Sequence, residues 1–216
     1  NFPKMFMNTF VIAIFTCIIS TIFVLSVAYS MSRMRFKMRK PFMNIAMIIG
    51  LFPSFMSMIA VYYILRALNL ADGAMIRVAL IIVFSAGSGA GFYVAKGFFD
   101  TISKSLDEAA IIDGATRWNV FTKITVPLSK PIIVYTILTS FMGPWVDFIF
   151  GKVICRADAQ YYTVSIGLWK MLEKEYIDSW YTCFAAGAVV VSIPIAILFL
   201  MTQKFYVEGM TGAVKG

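Results

Sequence analysis

The stretch Met5 to Ser32, MFMNTFVIAIFTCIISTIFVLSVAYSMS, carries no charged side chain between Lys4 and Arg33. A helix needs roughly 20 mostly apolar residues to cross the hydrocarbon core of a bilayer, so this run is long enough to span it. Four more stretches read the same way: between Lys40 and Arg66, between Arg77 and Lys96, from Pro131 to about Gly151, and between Asp178 and Lys204. Of the five, only the fourth contains a charge, Asp147. The rest of the composition agrees, with 60% of the 216 residues hydrophobic and 14% charged and a mean hydropathy of +0.83. These values lie far from those of soluble domains. The expectation is an all-α polytopic membrane bundle in one domain, residues 1–216, with five transmembrane helices visible.

The formal net charge is +8, and its placement reads as topology. Arg33, Arg35, Lys37, Arg39 and Lys40 crowd one short loop with no acid among them, which marks that loop as cytoplasmic. Alternation then puts residues 96–130 and the C-terminus inside, and residues 152–178 and Asn1 outside. The first span is too long for a cleavable leader and lacks a small-residue cleavage site. A helix missing before Asn1 accounts for the outside start, with an N-out topology as the alternative.

Histidine is absent from the chain, which removes Ser-His triads, His-ligated metals and histidine proton relays. Cys17, Cys155 and Cys183 make no metal-ligand spacing. Cys17 reads as a small packing residue, while Cys155 and Cys183 share the outer side, and their pairing is left open. No cofactor is expected to be bound by this chain.

Pro53, Pro144 and Pro194 each remove a backbone donor from a span, as a tolerated kink or as a feature of a substrate pathway. Gly87 and Gly91 have the spacing that lets helices approach closely, within the subunit or across a dimer. The methionines, Met43, Met47, Met56 and Met58 among them, read as lipid-facing or packing residues. Tyr62, Tyr63, Tyr161, Tyr162, Trp169 and Trp180 fall at the expected outer interface. Anchoring at headgroup level and stacking on a sugar both fit that position.

The connection from Phe98 to Pro131 is far longer than a helix hairpin needs. Ser105 with Glu108 fits a capping box, and the helix it opens is short, Ala-rich and ended by Gly114. A second helical stretch is expected from about Thr116, displaying Trp118, Phe121 and Ile124 beside Arg117 and Lys123. Val126-Pro127 should stop it, and Pro131 should open the fourth span. Asp107, Glu108 and Asp113 are acidic and would be repelled by an anionic lipid surface. Insertion into a groove on a partner is therefore favoured over lying on the membrane.

Glu108-Ala109-Ala110, Asp113-Gly114-Ala115, Pro127-Leu128 and Pro131 together resemble the EAA loop of binding-protein-dependent ABC importers. Asn8-Thr9, Tyr29-Ser-Met-Ser-Arg33 and Arg35-Phe36 resemble the start of the permease domain in the carbohydrate branch. Trp145-Val146-Asp147-Phe148 resembles that branch's Trp-Asn-Glu-Phe, departing from it at Val146 and Asp147. The tail, residues 205–216, is similar to the end of the smaller maltose/maltodextrin permease subunit. A frayed polar terminus is the plainer reading of that tail.

The resemblance implies a six-span permease in the bacterial inner membrane with a cytoplasmic C-terminus. It implies four partners: a second permease, an ATPase homodimer holding ATP and Mg, an extracellular sugar-binding protein, and the bilayer. Nucleic acid is not expected. Residues 98–131 would be the coupling loop, with Glu108, Ala109, Ala110, Asp113, Gly114 and Ala115 meeting the ATPase. Trp145, Asp147 and Phe148 would line the pathway or receive the binding protein, for which the segment Arg156 to Asp178 is a second candidate. Gly212 and Lys215 would reach the ATPase. The chain itself would be a non-catalytic transport subunit carrying maltose, maltodextrin or a related oligosaccharide. An importer of a non-sugar solute and an ion-coupled secondary transporter are the rival readings, the latter resting on Asp147.

Overall fold

The computed structural model describes residues 1–51, 54–156 and 158–212. Among them the chain is helical throughout, without strands. Helix α1 (Phe2–Arg33) is followed by α2 (Arg39–Gly50), α3 (Ser54–Ala67), α4 (Met75–Gly87), a 3-10 turn at Ser88–Gly91 and α5 (Phe92–Thr101). The inner connection holds α6 (Lys104–Ile112), α7 (Arg117–Val120), a π turn at Phe121–Thr125 and α8 (Val126–Leu128). Then come α9 (Lys130–Val146), α10 (Ile149–Cys155), α11 (Val164–Met171) and α12 (Ile177–Gly212).

Among the described residues three helical segments are long and apolar enough to cross a membrane: Phe2–Arg33, Met75–Thr101 and Ile177–Phe205. The other two expected spans fold as shorter pieces. The second becomes α2 and α3, with Gly50 closing α2; the expected kink at Pro53 lies outside the described residues. The fourth becomes α9 and, after a break at Asp147 and Phe148, the start of α10; α9 meets the preceding Arg117–Leu128 segment at a bend of 82°. Pro144 sits in the last turn of α9, which ends two residues later, whereas α12 runs unbroken through Pro194.

Helix α1 is the hub and packs against α4, α5, α9 and α11. Its buried face includes a row of mostly small or polar residues at intervals of four or so, Thr9, Ala13, Thr16, Ser20, Val24, Ala28 and Ser32, flanked by the larger Ile12, Leu25, Tyr29 and Met31. Its bulky Phe15, Ile18, Ile22 and Phe23 face outward. In lipid the apolar chains gain nothing by hiding, so small residues take the contact face and let backbones approach. Where α1 meets the 3-10 turn, a Cβ on Gly91 would sit 3.8 Å from Val24 and one on Gly89 3.8 Å from Phe23, while Gly87 has open space around it. The close approach expected of Gly87 and Gly91 is thus made within the subunit by Gly91 and Gly89.

Near its N-terminus α1 holds the connection before α11 by hydrogen bonds. Asn8 Nδ2 donates to the carbonyls of Gln160 (3.0 Å) and Tyr162 (3.2 Å), and Thr9 Oγ1 accepts from the N–H of Val164 at 2.8 Å. This pinning buries Tyr161 and Tyr162, at 9% and 3% exposure, so neither is a headgroup anchor. Tyr162 donates to the carbonyl of Arg156 at 3.1 Å, and its ring lies under the ammonium groups of Lys152 and Lys170. Tyr63, Trp169 and Trp180 stay exposed, as an interfacial belt requires. Cys155 and Cys183 are free thiols, the first buried and the second exposed. Burial pushes the Cys155 thiol up to about 12, and it donates to the carbonyl of Tyr161 instead of pairing.

Asn8→Ala removes the donor to two carbonyls that α1 buries. It is expected to lower stability by about 1–3 kcal/mol, read as an earlier unfolding midpoint in detergent, with helix content unchanged.

Candidate functional site

Two places carry polar chemistry: the inner connection and a cavity within the helices.

In the inner connection the chain leaves α5 extended at Ile102 and Ser103, so Ser103 caps α6, its Oγ accepting from the N–H of Ser105 at 3.3 Å. The expected capping box on Ser105 is therefore corrected. Ser105 already lies inside the first turn, and Glu108 is an exposed residue free of that duty. At the other end Gly114 takes φ +86. Its N–H bonds the carbonyl of Ile111 (3.0 Å) and the Ala115 N–H bonds that of Ala110 (2.9 Å). These two bonds define a Schellman stop, which needs a residue tolerant of the left-handed region.

Thr116 then caps the next helix by accepting from the N–H of Asn119 at 3.2 Å. The helix continues past Pro127 to Leu128 instead of stopping there. It passes through a π turn in which the N–H of Val126 bonds the carbonyl of Phe121, and the break comes at Ser129. Lys130 opens α9 with Pro131 in its first turn.

The end of α1 grips this connection. Arg33 Nε lies 3.1 Å from Asp107 Oδ2 on α6, with the two side chains 3% and 12% exposed. Arg33 Nη2 also donates to the carbonyls of Phe99 (3.0 Å) and Ile102 (2.8 Å), satisfying the end of α5. Ser32 Oγ donates to Asp100 at 2.6 Å, and Tyr29 Oη donates to the carbonyl of Arg117 at 3.3 Å. The Tyr29 ring packs on Phe121 with centroids 4.7 Å apart. One helix end thereby fixes α5, α6 and α7 at once.

With Asp107 facing the bundle, the rest of α6 is bare. Glu108, Ala109, Asp113 and Gly114 are exposed, Ala110 and Ala115 half-buried, and Ile112 is 85% exposed. Trp118 is 69% exposed.

The cavity is about 900 Å³ and lies between α1, α3, α4 and α9. From α9 it takes Tyr135, Thr136, Thr139, Ser140, Gly143 and Asp147, a run of one helix face. Thr16, Gly87, Ser88 and Gly91 line it from α1 and the 3-10 turn. Asp147 ends α9 with its Oδ1 accepting from the N–H of Gly151 at 2.9 Å, and its carbonyl accepts from Ser165. It therefore both caps α10 and faces the cavity.

Trp145 and Phe148, expected to act with it, point elsewhere. Trp145 is 3% exposed, packed on Phe6 at 5.2 Å between centroids, and Phe148 faces Trp169 at 4.9 Å. Of the tail residues, Gly212 is the last residue of α12 and Lys215 lies outside the described residues. Sequence reasoning missed the grip of Arg33 on Asp107 and the hydroxyl face of α9. The α9 face was available as the spacing Thr136, Thr139, Ser140, Gly143, Asp147; the Arg33 contact had no local signal. Among the described residues there is no cluster of acids, cysteines or histidines fit to hold a metal.

Residues 22–210 match the protein family described as binding-protein-dependent transport system inner membrane component. The chain is 35% identical, over its full length and 75% of the relative, to the galactooligosaccharides transport system permease protein GanQ of Bacillus subtilis. It is 32% identical, over 98% of the chain and 74% of the relative, to the maltodextrin transport system permease protein MalD of Streptococcus pneumoniae. To the maltose/maltodextrin transport system permease protein MalG of Escherichia coli it is 33% identical, over 88% of the chain and 64% of the relative.

Breaking the Arg33–Asp107 pair from one side leaves a buried charge without its partner. Asp107→Leu is expected to cost about 3–5 kcal/mol of local stability, seen as faster amide exchange across residues 104–128. Adding Arg33→Met to it should recover part of that loss; an additive result would show that the pair does not hold the loop.

Proposed function

Because this chain belongs to the binding-protein-dependent transport system inner membrane component family, we propose that it is one permease subunit of an ATP-driven oligosaccharide importer. It is a multi-pass membrane protein, and the carried solute is a malto- or galacto-oligosaccharide. A second, different permease completes the pathway. A homodimeric cytoplasmic ATPase supplies the energy with ATP and Mg of its own, and an extracellular binding protein delivers the sugar. This chain performs no bond chemistry, and its C-terminus lies in the cytoplasm.

The observation that carries this reading is α6: a helix clamped to the bundle on one side through Asp107 and bare on the other from Glu108 to Gly114. When the ATPase closes, a helix so held passes the displacement to α1 and α5 without absorbing it. Glu108 supplies the polar contact to the ATPase. Ala109, Ala110 and Ala115 keep the inserted surface small, and Asp113 with Gly114 forms the stop that lets the helix end seat. The tail residues Gly212 and Lys215 make a second contact. In the cavity the hydroxyls of Thr136, Thr139 and Ser140 and the carboxylate of Asp147 offer a polar wall to a sugar crossing the bilayer. Trp145 and Phe148 set the position of the α9 end, and the segment Arg156 to Asp178 meets the binding protein.

Gly114→Val puts a β-branched residue at φ +86, at a cost of roughly 1–2 kcal/mol or more, and deforms the stop. Membrane levels should stay normal while uptake of malto- or galacto-oligosaccharide falls and ATP hydrolysis no longer responds to loaded binding protein. Wild-type uptake by this variant would refute the coupling role. Asp147→Asn keeps the acceptor for the Gly151 N–H, so normal expression with reduced uptake is expected. Unchanged uptake would remove the carboxylate from the pathway.

A further inference from the structure

Where α6 meets the end of α1, reaching from Asp107 to the edge of the bare face at Glu108, lies a second cavity of about 440 Å³. Five cationic residues line it, Arg33, Arg35, Arg39, Lys104 and Arg117, against two acids, Asp107 and Glu108; Tyr29, Ser32, Ile111 and Val120 complete the wall. A pocket of this size with so unequal a charge attracts an anion.

Its floor specifies more than charge. Arg33 is 97% buried as a side chain, and its Nη1 has no hydrogen-bond partner among the described residues. Beside it Asp107 Oδ1 is also buried and unpartnered. One atom needs an acceptor and the other a donor, and unpaired buried groups of this kind are costly. A bare anion answers only the first.

We propose that this pocket binds a hydroxyl-bearing phosphate ester, with the phosphate on Arg33 Nη1 and the rim cations, and a hydroxyl donating to Asp107 Oδ1. Planar guanidinium groups suit phosphate oxygens. Two sources present this chemistry: the phosphoglycerol headgroup of a membrane lipid, and a soluble glycerol or sugar phosphate. Either would cover the Arg33–Asp107 pair and stiffen the connection of α6 to α1. The site is separate from the sugar-facing cavity, and it does not depend on the transport reading.

The test uses the full chain, purified with whatever subunits accompany it, in phosphatidylcholine nanodiscs. Phosphatidylglycerol is titrated into the discs in one arm, and sn-glycerol 3-phosphate or methyl phosphate is added to the solution in the others. Thermal unfolding and amide exchange over residues 104–120 are read in each. The comparison is the double variant Lys104→Gln, Arg117→Gln, which changes two exposed side chains and leaves Arg33 and Asp107 in place.

Expected is a higher unfolding midpoint and slower exchange in the wild type, lost in the double variant. Protection by phosphatidylglycerol alone assigns the lipid source. Protection by sn-glycerol 3-phosphate exceeding that by methyl phosphate assigns the soluble one. Equal responses of wild type and variant in every arm, or no response in any, overturn the proposal.

Discussion

The contact between Arg33 and Asp107 fixes how the connection between α5 and α9 sits on the bundle. Arg33 is the last residue of α1, the helix on which the bundle is assembled, and Asp107 lies in the first turn of α6. A buried ion pair brings little net stability, since desolvation offsets the attraction. What it brings here is geometry: it sets which face of α6 looks at the bundle and leaves the opposite face for a partner. The same guanidinium ties off the carbonyls at the end of α5, so the span, its exit and the inner helix form one stiff unit. A connection without that tie could bend under load before it moved anything.

The bundle is organised around how α1 is built. Many of its small and hydroxylated residues face inward, with Ile12, Leu25, Tyr29 and Met31 among them, and the 3-10 turn at Ser88–Gly91 packs on the side chains of Phe23 and Val24. At the outer end Asn8 and Thr9 fasten the connection before α11. The cavity beside α9 takes Thr16 and Val24 into its wall, on the stretch of α1 between these two fastenings.

Much of this was legible in the sequence for simple reasons. Charge-free runs mark helices because lipid leaves the backbone no other partner, and Gly114 marked a helix end because it tolerates the left-handed turn. The family resemblance rested on the residues from Glu108 to Pro131 and on others along the chain, and the matched region, residues 22–210, includes all of them but Asn8-Thr9 and the end of the tail. The cap of α6 was misplaced from Ser103 to Ser105, since both serines fit the spacing and only the extended exit from α5 decides between them. Pro127 was expected to stop a helix, yet a π turn before it lets the chain continue to Leu128. Tyr161 and Tyr162 read as interfacial anchors because their burial depends on Asn8 and Thr9, some 150 residues away. Arg33 read as one topological cation among five, and nothing local set it apart from Arg35.

The central claim is that α6 sits on the cytoplasmic face and is gripped by an ATP-hydrolysing partner. The most direct measurement places a single thiol there, Glu108→Cys in a background with Cys17, Cys155 and Cys183 replaced by alanine. A membrane-impermeant maleimide should leave it unlabelled in intact cells and label it in inverted vesicles, with labelling suppressed when ATPase subunits are bound. Labelling from outside intact cells, or labelling indifferent to those subunits, would contradict the account.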